Sequence, residues 1–277
     1  MILDGKKVRD EILKDIKNKI TNNNANITLA IIYIGNYKPS EIYINNKMKY
    51  CKEVGIKSIL YRYEKSNDDE IINLIIKLNN DVNINGIILQ SPTPNNINFE
   101  KCIKYIHPLK DVDGFTKENL FNLMHNKKGL RPCTAKGIIR LLQYYKIDLE
   151  GKDVCIIGKG NIVGKPLIFE LLNVGATINI CHSKTKYLAR KTLNSDIVIS
   201  AAGQAKLLTV DMVKAGSIII DVGISVIDDK IVGDVDFDNL VDVCSYITPN
   251  PGGIGPMTIA MIIENVYEAY QMQKERM

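Results

Sequence analysis

The sequence predicts an α/β protein of two domains, the second a Rossmann-like doubly wound parallel sheet. Short apolar, β-branched runs alternate with helix-length segments along most of the chain, the pattern of parallel strands covered by helices. At 155–166 the run C-I-I-G-K-G-N-I-V-G-K-P breaks from apolar residues into glycines and restarts as a helix, which reads as a phosphate-binding turn. With 277 residues, 45% of them hydrophobic, the chain can bury the cores that two domains need.

In chain order, residues 4–20 form an amphipathic helix with Val8, Ile12, Ile16 and Ile20 on one face. Residues 21–26 are a polar loop, and 29–34 a strand ended by Gly35. Ser40 stands as the N-cap of a helix that runs from Glu41 to about Glu53. Residues 57–61 are the next strand and 68–78 the next helix, with acids in its first turn. A third strand at 86–90 runs into Ser91-Pro92-Thr93-Pro94, which cannot continue a ladder.

The second half begins with a buried strand at 154–157. Gly158 and Gly160 let its backbone turn tightly, and Gly164 lies within the following helix at about 162–172. The three glycines span one residue more than G-x-G-x-x-G. Strands at 176–181, 196–201 and 217–222 follow with helix-length spacers, and 257–273 reads as a long terminal helix.

Composition excludes several classes. The six cysteines form no C-x-x-C pair, and Cys155 and Cys181 fall inside predicted strands, so free thiols in a reducing compartment are expected, with neither disulfides nor metal. The N-terminus is charged within four residues and has no apolar core, so no signal peptide or membrane span is expected there. The net charge of +5 is spread along the chain without a basic stripe, which argues against nucleic acid and suits an anionic small molecule.

Four polar residues fall where chemistry is expected. Tyr43 and Lys47 lie four apart on one helix and share a face. Gln90 and Asp113 follow strands, where α/β sheets carry their functional groups. Asp113 in K-D-V-D-G-F also fits a simple Asx-turn with Gly114.

Six segments in one order carry a resemblance: S-x-x-Y-I-x-x-K-x-K at 40–49, G-I-I-L-Q-S-P at 86–92, K-D-V-D-G-F at 110–115, the glycine turn, C-H-S-K-T at 181–185 and T-P-N-P-G-G-I-G-P-M-T at 248–258. The chain resembles, over nearly its full length, the bifunctional methylenetetrahydrofolate dehydrogenase/methenyltetrahydrofolate cyclohydrolase family. The resemblance implies NADP-dependent oxidation of 5,10-methylenetetrahydrofolate to the methenyl cation, then hydrolysis to 10-formyltetrahydrofolate. It makes Lys47 the general acid/base, Gln90 its hydrogen-bond partner, Tyr43 the residue packing on the folate, and Asp113 the acceptor for the pterin's amino edge. Pro256, Gly252 and Gly253 would also line the folate site. Gly158, Lys159, Gly160, Ile162, Val163, Gly164, Ser183, Gly203 and Ile224 would hold NADP. It further implies a folate domain at 1–145 plus 256–277, to which the C-terminal helix returns, and a cofactor domain at 146–255. The active cleft would lie between them. A cytoplasmic homodimer serving purine biosynthesis completes the picture.

The chain departs from the family at Ala135, where a helix-start proline is usual, at Lys159-Gly160 in place of Arg-Ser, and at Ser91 and Asn250, where apolar residues are usual. Two other functions compete. A short-chain dehydrogenase also uses Y-x-x-x-K, but there the pair follows the glycine turn, whereas here it precedes it by more than a hundred residues. A non-catalytic nucleotide-sensing module would not need Lys47, Gln90 and Asp113 intact. The sequence itself speaks for NADP, because the carboxylate that binds an NAD ribose about 20 residues past the turn is missing. His182, Ser183, Lys184 and Thr185 stand there instead.

Overall fold

The computed structural model describes residues 1–227 and 230–276. In chain order the elements are α1 (Gly5–Asn22), β1 (Thr28–Ile34), α2 (Lys38–Val54), β2 (Lys57–Tyr63), α3 (Asp68–Asn80), β3 (Gly86–Leu89), α4 (Phe99–Ile103), α5 (Lys117–Met124) and α6 (Cys133–Tyr144). The second half has β4 (Asp153–Ile157), α7 (Gly164–Asn173), β5 (Thr177–Cys181), α8 (Leu188–Leu193), β6 (Ile197–Ser200), β7 (Ile218–Asp221), β8 (Ser225–Ile227), β9 (Lys230–Val232), α9 (Phe237–Leu240), β10 (Tyr246–Ile247) and α10 (Ile254–Lys274).

The chain divides into two compact units, 10–133 with 259–277 and 134–258 with 1–9. These boundaries differ from the sequence expectation of 1–145 plus 256–277 against 146–255. The reason is local: Leu3 and Met1 pair with Ile247 of β10, and the Tyr145 hydroxyl accepts a bond from the Asp4 N–H at 2.9 Å. These bonds tie the N-terminus to the 134–258 unit.

In the 10–133 unit, β2, β1 and β3 form a parallel sheet in the order β2-β1-β3. All seven residues of β1 are buried, as befits a central strand with helices on both faces. One side packs Ala30, Ile32 and Ile34 against Ile71, Ile75 and Leu78 of α3, whose N-cap Asn67 accepts a bond from the Glu70 N–H. The Lys110 ammonium is buried and donates to the carbonyls of Leu78, Asn79 and Asp81 at 2.8–3.1 Å, so that a cation closes the C-terminal end of α3.

In the 134–258 unit, five parallel strands run β10-β7-β6-β4-β5. From β4 the chain goes to β5 on one side and returns to β6 on the other, so the order reverses between β4 and β6. Doubly wound sheets bind their ligands at this crevice. The antiparallel pair β8–β9 and the short helices α4 and α9 were not foreseen; all are too short to leave a periodic signal.

Three boundaries moved. Ser40 is not the N-cap of α2: Tyr37 is, and Ser40 lies buried in the first turn. α7 starts at Gly164, which leaves Ile162 and Val163 in the turn. α10 starts at Ile254 and takes Gly255 and Pro256 into its first turn, where proline forfeits no intrahelical bond. All six cysteines are free and buried. Among the described residues, no helix is long and apolar enough to cross a membrane.

Ile32 is fully buried at the centre of β1 and Val82 is 82% exposed. Ile32→Ala is expected to cost about 2–5 kcal/mol in denaturant unfolding, while Val82→Ala should stay within about 0.5 kcal/mol.

Candidate active site and cofactor site

On α2 the buried positions are Ser40, Ile44, Lys47, Cys51 and Val54, a 3–4 spacing that turns one helical face inward. Lys47 is the one charged residue of that face and is only 6% exposed. Its ammonium donates to Gln90 Oε1 at 2.9 Å. Gln90 is the first residue past β3, and its own amide donates from Nε2 to the Ser91 carbonyl at 2.6 Å. That second bond fixes the amide so that its oxygen faces the lysine. A buried charge thereby receives an acceptor from a neighbouring strand end.

The K-D-V-D-G-F segment runs beside β3. Ile87 pairs in parallel with Asp111, and the Ile87 N–H donates to the Lys110 carbonyl at 2.7 Å. Two residues beyond that pair stand Leu89 and Asp113, so the register carries Asp113 to the same strand end as Gln90.

The turn bonds anticipated from Asp113 belong to Asp111. Its carboxylate accepts from the Gly114 N–H at 3.0 Å, the Thr116 N–H at 2.7 Å and Asn119 Nδ2 at 3.0 Å. Gly114 has φ +79, and a Cβ there would come within 2.5 Å of the Arg131 carbonyl carbon. Asn265 of α10 ties the next layer by donating to the carbonyls of Val112 and Arg131, each at 2.8 Å.

Asp113 is thereby released from structural duty. No hydrogen bond among the described residues holds its carboxylate, which remains partly open to solvent. Burial raises its pKa above the ordinary carboxylate value, the Lys47 charge opposes the rise, and Asp111 adds to it. Tyr43, half-buried one turn before Lys47, has its phenol pushed up by burial. Cys51, one turn after Lys47, is raised to about 12 by burial, against the pull of the lysine, and is inert as a nucleophile near neutrality. Lys47, Tyr43, Gln90 and Asp113 all belong to the 10–133 unit, whereas Pro256, Gly252 and Gly253 fall in the other.

In the 134–258 unit the expected cofactor residues lie just past successive strand ends: the glycine turn after β4, Ser183 after β5, Gly203 after β6 and Ile224 after β7. Gly158 has φ +123, and a Cβ there would stand 2.3 Å from the Ala201 carbonyl oxygen, so only glycine lets β4 and β6 close at the crevice. A Cβ on Gly160 or Gly203 would meet nothing within 4 Å, which leaves open space over both. Lys159, Gly160, Ile162 and Ser183 are exposed, and the turn at 182–185 is set by the His182 N–H donating to Thr185 Oγ1 at 2.9 Å. The residues present fit a dinucleotide: a tight turn, a helix N-terminus at Gly164, open space and no carboxylate at 182–185.

Sequence reasoning missed Asp221 and Asp234. Both are buried, and both hold loops at the same sheet edge. Their signal was a strand-end aspartate followed by V-G and a second aspartate after Gly233. Asn250, which departs from the family pattern, donates from Nδ2 to the Gly223 carbonyl at 2.7 Å.

Residues 3–113 match the tetrahydrofolate dehydrogenase/cyclohydrolase catalytic domain, and residues 132–274 match the NAD(P)-binding domain of the same family. The chain is 46% identical over 279 residues to the bifunctional protein FolD of Mycoplasma mycoides, covering 98% of this chain and 97% of the relative. The crystal structure of the bifunctional FolD methylenetetrahydrofolate dehydrogenase/cyclohydrolase from Campylobacter jejuni is 44% identical, with TM-score 0.96 and 99% of each chain covered. The Trypanosoma brucei enzyme, solved with NADP cofactor and an inhibitor, is 30% identical with TM-score 0.94, covering 99% of this chain and 98% of that one.

Because the folded-state pKa of Asp113 is raised, its stabilising contribution is complete below the unfolded value and is lost as pH rises through the folded value. Removing the carboxylate removes that loss. Asp113→Asn is therefore expected to be more stable than the parent at pH 7, by a margin that shrinks towards pH 4, as read by thermal unfolding at several pH values.

Proposed function

The chain belongs to the tetrahydrofolate dehydrogenase/cyclohydrolase family, and from that premise we propose that it oxidises 5,10-methylenetetrahydrofolate with NADP and hydrolyses the methenyl product to 10-formyltetrahydrofolate. The observation that carries the reading is the buried Lys47–Gln90 bond of 2.9 Å, set beside a carboxylate that no hydrogen bond among the described residues holds. A solvated helix lysine has no need of such an arrangement.

In the cyclohydrolase step water adds to the bridging methenyl carbon. Lys47 takes one proton from that water and returns it to the folate nitrogen as the carbon–nitrogen bond breaks, and the second water proton leaves to solvent as the formyl carbonyl forms. Gln90 keeps the Lys47 nitrogen in place, so that no reorganisation is required when the proton moves. Asp113 accepts two parallel N–H bonds from the pterin and fixes the folate's orientation. Tyr43 supplies a flat, half-buried surface for the folate ring.

NADP, when bound, supplies the hydride acceptor for the methylene carbon. Gly158, Lys159, Gly160, Ile162, Val163 and Gly164 would hold its phosphates and Ser183 its 2′-phosphate, with Gly203 and Ile224 along the same edge. Lys159 offers a point charge rather than the fork of arginine, and Gly160 offers no hydroxyl, so the preference for NADP over NAD is modest. We also propose a cytoplasmic homodimer that delivers one-carbon units to purine biosynthesis. The support is the family's habit.

Lys47→Met keeps the length and packing of the side chain and removes its ionisable head. Methenyl decay in the folded variant is expected to fall to the solvent rate, and near-normal hydrolysis would remove Lys47 from its role. Asp113→Asn replaces one acceptor with a donor facing the pterin, so its folate KM should rise about ten- to a hundredfold while its NADP KM stays unchanged. Ser183→Asp sets a negative charge against the 2′-phosphate and offers an acceptor to an NAD ribose. The ratio of kcat/KM for NADP over NAD should exceed one in the parent and invert in the variant; a ratio that does not move would take the phosphate away from Ser183.

A further inference from the structure

Asp234 is fully buried, two residues past the end of β9, and its carboxylate is spent on one loop. Oδ2 accepts from Ser200 Oγ at 2.9 Å, the Ala202 N–H at 2.6 Å and the Gly203 N–H at 3.2 Å, and Oδ1 accepts from the Gln204 N–H at 2.8 Å. Asp234 is itself fastened to the next strand end: its N–H donates to Asp221 Oδ1 at 3.0 Å, and the Val235 N–H donates to Asp221 Oδ2 at 3.3 Å. Asp221 Oδ1 also accepts from the Gly223 N–H at 3.1 Å, just before Ile224. A Cβ on Gly223 would come within 1.9 Å of the Asp234 carboxyl, so the two loops close on this group.

Three consecutive N–H groups at 202–204 are thus turned inward onto a carboxylate. A loop whose donors are consumed this way has none left for a phosphate, and the Gly203 and Gln204 carbonyls are themselves engaged, by Ser225 Oγ at 3.3 Å and the Leu207 N–H at 3.3 Å. We propose that Asp234 is the positioning residue of the cofactor site: it holds the loop after β6 in one shape with its N–H groups turned inward, so that this loop borders the cofactor without offering donors to its phosphates, which fall to the glycine turn after β4. This rests on the reading of the sheet edge as an NADP site.

The test measures three quantities on the full chain, for the parent and Asp234→Asn: the NADP dissociation constant by calorimetry, kcat and KM for NADP, and methenyl hydrolysis without cofactor. Asparagine keeps the shape and one acceptor but sets an NH₂ against the inward N–H groups. The expected result is an NADP dissociation constant and KM raised about tenfold or more, kcat changed less, and cyclohydrolase activity unchanged. A folded variant with parental NADP affinity, or with both activities reduced in parallel, overturns the proposal.

If Asp234→Asn does not fold, Ser200→Ala removes one of the four donors and leaves the charge in place. A weakening of NADP affinity of about threefold or more, with cyclohydrolase intact, supports the proposal, and unchanged affinity refutes it. A parent chain that binds no NADP at all would instead overturn the cofactor reading on which the inference rests.

Discussion

An ammonium group enclosed in a protein costs roughly several kcal/mol unless an acceptor meets it, and the 10–133 unit is built to supply one to Lys47. The inward face of α2 delivers the nitrogen, the end of β3 delivers the Gln90 amide, and the Ser91 carbonyl fixes which end of that amide points at the lysine. Around this bond the other polar groups separate by role. Asp111 accepts three bonds and shapes the turn, Lys110 closes α3, and Asn265 ties the segments at Val112 and Arg131 together. Asp113 is the group left over, half-buried and held by no hydrogen bond among the described residues.

The 134–258 unit solves a different problem with the same means. A parallel sheet ends in a row of loops whose N–H groups need acceptors, and those loops must also leave room for a ligand. Asp221, at the end of β7, and Asp234, just past β9, meet that need from behind the loops that follow β7 and β6. The cost is visible in Asp221, whose pKa burial raises to about 6, with the neighbouring Asp234 charge adding to the rise and three backbone N–H groups opposing it. On the open side nothing crowds Gly160 or Gly203.

Much of this was legible in the sequence because it is written in periodicity and punctuation. The long helices and the central strands announce themselves by apolar spacing, and Lys47 with Tyr43 by the helical repeat. What was hidden is tertiary. No spacing tells Asp111 from Asp113, two residues apart in the same run; only the pairing of Ile87 with Asp111 decides which carboxylate faces the turn. Asp234 lies thirty or more residues from the loop that it holds. Ser40 misled because a serine before a helical run usually caps it, whereas here the helix starts two residues earlier and buries the hydroxyl.

The proposed function requires one lysine-centred site to serve two consecutive reactions on folate. The most direct measurement is the absorbance time course of the methenyl chromophore after the purified protein is mixed with 5,10-methylenetetrahydrofolate and NADP. The expected trace is a rise as the methylene bridge is oxidised, then a decay faster than the solvent rate as the methenyl cation is hydrolysed. An absent rise with either nicotinamide cofactor, or a rise whose decay matches that in buffer alone, would contradict it.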